Sequence, residues 1–268
     1  MNDVAVKGAV DVAATGSLPA QALIEAGRLA RSWSRQADVV TSTFVLPVLL
    51  LLMFDLVLGK VLGATGDGDP IYGFVPMIAV AATMYGAMGT GQSLYAERES
   101  GLLRRFWVMP IHRSAGLLGR LLAECGRALI ATVVVLVLGF VLGLRFEQGV
   151  AGALGALAVP VLVIAGFAPV VIACGVSRAG HKVVEVFAIV VLVGMFFNSG
   201  FVPLENYPGW LRPVVAAQPM SCAIEAMRGF TLGGPTAVPL LQTAAWSIGL
   251  AAAFGALAVR GYRNAARA

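Results

Sequence analysis

Six stretches of this 268-residue sequence are apolar for long enough to cross a lipid bilayer. A crossing helix needs about 20 mostly apolar residues, because it has to cover roughly 30 Å of hydrocarbon. The six stretches are residues 39–58, 72–94, 121–144, 151–176, 183–201 and 236–259. Hydrophobic residues make up 59% of the chain and charged residues only 12%, a balance far from that of a soluble domain. The sequence therefore predicts an all-α integral membrane protein with six transmembrane helices within residues 38–260.

The Lys and Arg residues are distributed unevenly between the segments that these spans separate. Fifteen share one side with both termini, namely Lys7, Arg28, Arg31, Arg35, Arg98, Arg104, Arg105, Arg113, Arg120, Arg127, Arg178, Lys182, Arg260, Arg263 and Arg267. The other side has four, namely Lys60, Arg145, Arg212 and Arg228. Because basic residues are retained on the cytoplasmic side, we predict a cell-membrane protein with both termini in the cytoplasm. Anionic lipid beside these loops explains the net charge of +5, so nucleic acid is not an expected partner.

The sequence before the first span divides into two parts. Residues 1–18 are small and weakly patterned and predict a flexible cytoplasmic tail, as residues 261–268 do at the other terminus. Residues 19–37 predict an amphipathic helix in the membrane interface, with an apolar stripe of Leu23, Ala26, Ala30 and Trp33. Its other faces carry Arg28, Arg31 and Arg35. The pattern leaves open a plain membrane anchor and a contact with lipid phosphates or a cytoplasmic partner.

Residues 95–113, after the second span, combine charge with large apolar side chains. One helical stripe contains Leu102, Leu103, Phe106 and Trp107. Its rim carries Glu97, Glu99, Arg104 and Arg105. A short helix of this kind fits a groove on another protein, and it fits equally well an interfacial helix that docks on the chain's own spans. Pro110 disfavours helix at the residue before it and marks the end of the element.

The sequence contains no G-x-x-x-x-G-K-[ST] run, the motif that cradles nucleotide phosphates. Gly59 and Lys60 have neither the preceding glycine nor the following hydroxyl residue. Cys125, Cys174 and Cys222 are widely spaced and give no metal-ligand pattern. We therefore expect a chain that binds no nucleotide of its own by this motif, no cofactor and no metal, and that is not itself an enzyme.

Residues 202–235 are interrupted too often for one helix and are too apolar for an ordinary exposed loop. The interruptions are Pro203, Pro208, Pro213 and Pro219, and the aromatic residues include Tyr207, Trp210 and Phe230. Short broken helices that enter the outer membrane face would fit, provided that protein or a water-filled cavity satisfies their backbone. They would lie over a translocation route or simply cap the bundle. Glu225 and Arg228 have the i, i+3 spacing of an ion pair.

Few ionisable residues fall inside the predicted spans, where they would be functional candidates. Asp55 and Glu185 lie near span ends, where each can reach water or a basic neighbour. His112 and His181 are at the cytoplasmic side, which weakens the alternative of a proton-coupled secondary transporter. A lipid-modifying membrane enzyme is a second alternative, although no cluster of catalytic residues supports it. Glycines that permit close helix contact are Gly86, Gly89, Gly91, Gly139 and Gly143, and whether they face this bundle or a partner is open.

Several of these segments together resemble the ABC-2 type export permeases, especially the daunorubicin-resistance (Drr) type and within it the DrrC type of actinobacterial lipid and drug exporters. The segments are residues 97–110, 143–149, 202–210, 218–221 and 226–230. The resemblance implies that residues 95–113 form a coupling helix that contacts a separate ATP-binding subunit. The coupling positions would be Glu97, Arg98, Glu99, Gly101, Leu103, Arg104, Arg105 and Phe106.

The resemblance also implies the rest of the assembly. Two copies of the ATP-binding subunit would hold ATP and Mg, and a second permease, like or unlike this one, would complete the pore among membrane lipids. Outer re-entrant helices would form a gate with Pro203, Tyr207, Pro208, Trp210, Pro219, Glu225 and Arg228. The expected function is ATP-driven export of a complex lipid or a hydrophobic drug, and neither the residues nor the resemblance decides between these cargoes.

Overall fold

The computed structural model describes residues 17–60, 69–101, 114–177 and 179–267, and the elements of this part are helices and turns. The first helix is α1 (Leu18–Trp33), and α2 follows as consecutive α- and π-helical pieces (Ala37–Val40, Thr41–Val45, Leu46–Phe54, Asp55–Gly59). The long helices are α3 (Ile71–Glu99), α4 (Ala115–Leu142), α5 (Gly149–Gly175) and α6 (Gly180–Phe196). After a 3₁₀ turn (Leu204–Asn206) come α7 (Arg212–Ala217), α8 (Pro219–Leu232) and α9 (Ala237–Arg267). The predicted all-α class is confirmed.

Among the described residues, five helices are long and apolar enough to cross a membrane. They are formed by α2 from Thr41, α3, α4, α5 and α9 to Asn264. The predicted span at 183–201 corresponds to α6, which has 17 residues and a length of about 25 Å. The helix ends at Phe196, and residues 197–202 form bends and turns. The sixth crossing therefore stays a prediction.

The bundle is arranged around α3, which packs against α4, α5, α6 and α8. Consequently α3 buries most of its side chains, from Ile71 to Leu94. The helix α9 packs mainly on α5, and α1 packs on α4. The outer faces of α2 and α6 carry exposed large apolar residues, such as Leu49 and Leu56 on α2 and Val186 and Ile189 on α6. Exposed apolar faces are expected where a helix meets lipid or another membrane protein.

Glycines allow the central helices to approach closely. A Cβ at Gly91 of α3 would lie 2.8 Å from a methyl carbon of Val171 on α5, and one at Gly175 would lie 2.6 Å from the carbonyl oxygen of Gly91. On the other side of α3, a Cβ at Gly139 of α4 would lie 2.6 Å from a methyl carbon of Val75. Side chains at these positions would push the helices apart. These three glycines therefore face the chain's own bundle.

Three helix limits differ from the prediction, and the differences concern charged residues. The helix α3 continues to Glu99, α4 begins at Ala115, and α9 continues to Arg267 through the predicted tail. Arg120 and Arg127 therefore lie inside α4, where both are buried. Without these two, 13 basic residues remain on the predicted cytoplasmic side against 4 on the other, so the bias survives.

The helix α1 ends at Trp33 rather than at 37, and its packed face differs from the predicted stripe. Its buried apolar residues are Ala22, Leu29 and Trp33, whereas Leu23 is 64% exposed. The packed face is set by α4, where the small residues Gly119 and Ala123 contact α1. A Cβ at Gly119 would lie 2.7 Å from Glu25, and Ala123 packs with Leu29 and Trp33.

The bundle has two ends of different character. The end that contains α1, the last turns of α3, α5 and α9, and the first turns of α4 and α6 is called the basic end. The opposite end contains the α4–α5 connection and residues 197–236, and is called the proline-rich end. Two glycines with positive φ end helices there, Gly143 after α4 and Gly233 after α8, because this backbone conformation suits glycine.

Candidate functional site

At the basic end, an ion pair joins the last turn of α3 to the first turns of α4. The carboxylate of Glu97 accepts a hydrogen bond from the guanidinium of Arg120. The Arg120 side chain is 1% exposed and the Glu97 side chain 17%. Tyr262 of α9 also lies against Arg120 and packs on an apolar cluster with Leu94. Three helices therefore meet at this pair.

The neighbouring residue, Arg98, ties α3 to the end of α5. Its Nη1 donates to the carbonyl oxygens of Val176, at 3.1 Å, and Ser177, at 2.5 Å. The last carbonyl groups of a helix lack partners within that helix and carry partial negative charge. Arg98 supplies a donor to Val176 and a second donor to Ser177, whose carbonyl oxygen also accepts from the N–H of Gly180. It thereby ties α3 to the turn between α5 and α6.

Deeper in the bundle, a second group of charged residues is buried between α3 and α4. Arg127 donates to Oε2 of Glu124 through Nη2, at 2.5 Å, and through Nε, at 3.2 Å. Glu124 also accepts a hydrogen bond from the hydroxyl of Thr90, and Arg127 Nη2 donates to the carbonyl oxygen of Thr83 at 3.2 Å. Glu124 is 1% exposed and Arg127 is 7% exposed. A Cβ at Gly86 would overlap the guanidinium of Arg127, so glycine is needed to seat it.

These two groups of contacts lie along the same faces of α3 and α4, and together we call them the polar seam. Its members are Thr83, Thr90 and Glu97 on α3 and Arg120, Glu124 and Arg127 on α4. The α3 members are seven residues apart, which returns to the same face of a helix after two turns. The α4 members are spaced by four and three residues, which also defines one face. The seam follows α3 for about 21 Å.

Sequence reasoning missed the polar seam. Arg120 and Arg127 were interpreted as loop charges, and Glu124 was not considered. A signal was present, because Arg120, Glu124 and Arg127 follow the i, i+4, i+7 spacing of one helix face within an apolar sequence. Charged residues on one face of a membrane helix indicate a face turned towards protein or water rather than lipid.

The predicted coupling positions are divided by the structure. Glu97 and Arg98 have partners within this chain, as described above, and Glu99 is exposed. Gly101 follows α3 with a φ of 72°, a conformation that favours glycine. Leu103, Arg104, Arg105 and Phe106 lie outside the described residues.

At the proline-rich end, Arg228 of α8 joins three parts of the chain. Its Nη1 donates to Glu225 at 2.9 Å, which confirms the predicted i, i+3 pair. Its Nη2 donates to the carbonyl oxygen of Ser199 at 3.2 Å, and its Nε lies 3.5 Å from the carbonyl oxygen of Tyr72. Arg228 therefore holds α8 to the start of α3 and to the turn that follows α6.

The turn after α6 is organised by side chains that bind backbone groups. The Oδ1 of Asn198 accepts hydrogen bonds from the backbone N–H of Gly200, at 2.8 Å, and Phe201, at 3.1 Å. The buried Tyr207 donates from its hydroxyl to the carbonyl oxygen of Asn198 at 3.1 Å. Burial raises the pKa of the Tyr207 hydroxyl. The irregular backbone is thus satisfied internally.

The other predicted gate residues lie around this turn. Pro219 is in the first turn of α8, Pro203 lines a cavity of about 420 Å³ together with Asp69 and Arg228, and Pro208 is exposed. Trp210 is 76% exposed. The predicted broken helices are present as α7 and α8. The indole N–H of Trp246 on α9 donates to the carbonyl oxygen of Ala217 at 2.8 Å, which ties α7 to the last long helix.

An apolar groove opens between α2, α3 and α6. It has a volume of about 430 Å³, and its lining includes Leu50, Phe54, Ile78, Leu192 and Phe196. Among the described residues that line the groove, only Ser42 and Tyr85 have polar side-chain groups. A groove of this composition can hold hydrocarbon or a flat apolar molecule.

The basic residues of α1 lie in different surroundings. Arg28 makes two hydrogen bonds to Glu25, at 2.7 and 2.8 Å, and these bonds raise the pKa of the guanidinium. Arg31 and Arg35 are exposed and line a shallow depression with Arg28, while Trp33 is buried against α4. The exposed guanidinium groups could meet phosphates.

The two ionisable residues predicted near span ends contribute little. Glu185 pairs with His181, 3.0 Å away, and both side chains are more than half exposed. Asp55 is partly exposed in the last π-helical piece of α2. Both positions agree with contact to water, so the buried charges of the described residues belong to the polar seam.

A family model described as the ABC-2 type transporter matches residues 21–232 of this chain. The match begins in α1, includes the polar seam and ends with the last residue of α8, before α9 begins. The resemblance inferred from the sequence motifs is therefore confirmed.

Individual relatives are similar over nearly the whole chain. The "Probable doxorubicin resistance ABC transporter permease protein DrrC" of Mycobacterium tuberculosis is 39% identical over 246 residues, which cover 92% of this chain and 89% of the relative. The "Daunorubicin resistance ABC transporter permease protein DrrB1" of Streptomyces coeruleorubidus is 31% identical over 264 residues, covering 94% and 92%. The "Doxorubicin resistance ABC transporter permease protein DrrB" of Mycobacterium tuberculosis is 27% identical over 60% of this chain.

Proposed function

This chain belongs to the ABC-2 type transporter family as a multi-pass membrane permease, and we propose that it forms half of the pore of an ATP-driven exporter. ATP is hydrolysed by a separate subunit, and the cargo is a complex lipid or a hydrophobic drug. The observation that carries the proposal is the 39% identity over 92% of the chain to a permease named for doxorubicin resistance. Since that relative is named a permease protein, this chain is a transport subunit and not an enzyme.

The partners follow from the same family assignment. Two ATP-binding subunits hold ATP and Mg and contact the segment 95–113 from the cytoplasm, where both termini of this chain also lie. A second permease, identical or related, completes the pore, and relatives named DrrB and DrrC occur in the same organism. The bias of basic residues towards the basic end supports this orientation.

The route of the cargo is proposed from two features of the described residues. The apolar groove between α2, α3 and α6 suits an acyl chain or a flat aromatic drug entering from the inner leaflet. The elements α7 and α8 at the proline-rich end form the outer re-entrant gate, under which the cargo leaves. Nucleotide-driven closure of the ATP-binding subunits moves the segment 95–113 and thereby changes the packing of α2, α3 and α6.

The test is reconstitution of this permease with its cognate ATP-binding subunit in liposomes. We expect doxorubicin or a fluorescent long-chain lipid to move only when ATP and Mg are present on the side of the ATP-binding subunit. A proton ionophore should have no effect. Transport by the permease alone, or transport that persists without ATP and is abolished by the ionophore, would identify a secondary transporter instead.

A second experiment addresses the coupling segment. Replacing Arg105 and Phe106 together by Ala should weaken association with the ATP-binding subunit and reduce ATP-dependent export. Glu205, exposed at the other end, provides a control position whose replacement should leave association unchanged. Normal association and export in the Arg105 and Phe106 variant would remove the coupling role from this segment.

A further inference from the structure

Resting on the proposed function, we infer that Glu97 and Arg98 are positioning residues that act through the permease's own helices and not by touching an ATP-binding subunit. They tie the end of α3 to α4 and to the α5–α6 turn. The polar seam then carries a displacement of that end into the interior of the bundle. The residues that contact the partner lie elsewhere in the segment 95–113.

The first argument comes from Arg120. Its side chain is 1% exposed, and a buried guanidinium without an acidic partner is strongly unfavourable. Glu97 supplies that partner. Oε2 of Glu97 is engaged with Arg120, and giving up this contact in order to bind another protein would leave a buried charge uncompensated, so the structure favours the contact with Arg120.

The second argument comes from Arg98. Its Nη1 binds the carbonyl oxygens of Val176 and Ser177, just after the end of α5, and the Ser177 carbonyl also accepts from the backbone N–H of Gly180. Helix α6 begins at Gly180, only a few residues beyond these acceptors. A shift of α3 along its axis therefore moves the α5–α6 turn as well.

The polar seam joins α3 to α4 at several levels along both helices. Below the pair of Glu97 and Arg120, Thr90 donates to Glu124, and Arg127 binds both Glu124 and the carbonyl oxygen of Thr83. Sliding α3 past α4 would break together the contacts that join the two helices, namely Glu97 with Arg120, Thr90 with Glu124 and the Thr83 carbonyl with Arg127, and each broken contact would leave a polar group unsatisfied. The helices α3 and α4 therefore move as one body when the basic end is displaced.

The experiment exchanges the charges of the interhelical pair. Glu97→Arg and Arg120→Glu each lose the pair, whereas the double variant restores it with reversed direction. We expect export to fall by about tenfold or more in each single variant and to recover to within about threefold of the wild type in the double variant. Glu205→Arg is the control, because Glu205 carries the same charge, is exposed and lies at the proline-rich end, outside the segment 95–113.

Two further measurements separate the possible outcomes. The amount of ATP-binding subunit that copurifies should be unchanged in all variants that fold. If Glu97→Arg abolishes copurification and the double variant does not restore it, Glu97 contacts the partner and the inference is overturned. Unfolded single variants would be replaced by Glu97→Gln, which keeps the shape of the side chain and should reduce export without reducing copurification.

The melting temperature of the permease alone in detergent tests the pair without reference to export. It should fall in both single variants and recover in the double variant. If the melting temperature recovers in the double variant but even the wild type shows no ATP-dependent export, the proposed function is contradicted and the internal pair is not. Failure of the melting temperature to recover would overturn the internal pair itself.

Discussion

In the polar seam, charged side chains bind mainly other side chains of α3 and α4, whereas at the proline-rich end most of the contacts join side chains to backbone groups. Both arrangements give partners to polar groups inside a largely apolar bundle, although Nε and Nη1 of Arg120 and Nη1 of Arg127 are buried without one among the described residues. The polar seam depends on matching charges at fixed positions of two regular helices. The contacts of Arg228, Asn198 and Tyr207 instead follow the path of an irregular chain, because turns inside a bundle leave carbonyl and N–H groups that need partners.

The comparison teaches that the two ends should respond differently to substitution. Removing one member of the polar seam leaves its buried partner charged and alone, and removing both members relieves the problem. Removing a side chain at the proline-rich end leaves a neutral carbonyl group without its donor, which costs less. The following predictions test this difference in order of decreasing effect.

The largest effect is expected for Arg127→Leu. This change leaves Glu124 buried without its partner, and we expect a loss of about 3–5 kcal/mol in the free energy of unfolding, measured in detergent. Arg263→Leu, at an exposed position of α9, should change it by no more than about 0.5 kcal/mol. The double change Glu124→Leu with Arg127→Leu should regain much of the loss. Equal stability of the Arg127 and Arg263 variants would mean that the seam stabilises nothing.

A smaller effect is expected for Gly86→Ala. The added methyl group overlaps the guanidinium of Arg127, so the arginine has to move and the free energy of unfolding should fall by about 1–3 kcal/mol. Gly89→Ala is the control on the same helix, because a Cβ there meets no atom within 4 Å. Alanine favours helix over glycine, so the control should be neutral or more stable by up to about 1 kcal/mol. A similar loss of unfolding free energy in both variants would show that Arg127 does not pack tightly against position 86.

At the proline-rich end, Arg228→Gln should cost about 1–3 kcal/mol of unfolding free energy, because the carbonyl groups of Ser199 and Tyr72 lose their donor. Glu225→Gln removes only the half-exposed ion pair and should change stability by less than about 1 kcal/mol. A larger loss for Glu225→Gln than for Arg228→Gln would show that the ion pair, and not the backbone contacts, stabilises this end.

The smallest effect is expected for Tyr207→Phe, which removes one hydrogen bond to Asn198 and should cost about 1 kcal/mol. Because burial raises the pKa of the Tyr207 hydroxyl above its ordinary value of 10.0, the unfolded chain releases this proton at a lower pH than the folded protein does. The contribution of Tyr207 to stability is therefore complete below pH 10.0 and decreases as the pH rises above it. Comparison of thermal unfolding of wild type and variant between pH 8 and 11 measures this difference.

The sequence predicted the features that depend on local pattern. Apolar stretches of sufficient length located five long helices, the four prolines of residues 202–235 located the broken helices, and the spacing of Glu225 and Arg228 gave their ion pair. The polar seam escaped because hydropathy averaged over about 20 residues hides three charges. The partners of the α4 charges lie on α3, and the sequence of α4 alone does not indicate that Thr90 or Glu97 is a neighbour.

The packed face of α1 was missed for a similar reason. Leu23 and Leu29 are equally apolar, and the choice between them is made by α4, where Gly119 leaves room for Glu25 and Ala123 receives Leu29. The end of α6 was placed too late because Phe197 and Phe201 extend the apolar stretch, although Asn198 between them binds the backbone of the following turn. In both cases tertiary contacts override a local preference.

The polar seam also has a consequence for how this sequence can diverge. A change at position 97 is tolerated readily only with a compensating change at position 120, and the same holds for 124 and 127, so among relatives these positions should vary as coupled pairs. Arg228 has mainly backbone partners, which every residue possesses. Substitutions at position 228 among relatives should therefore not correlate with substitutions at one other position. The two ends of the bundle would then differ in sequence covariation, although both meet the need to give buried polar groups partners.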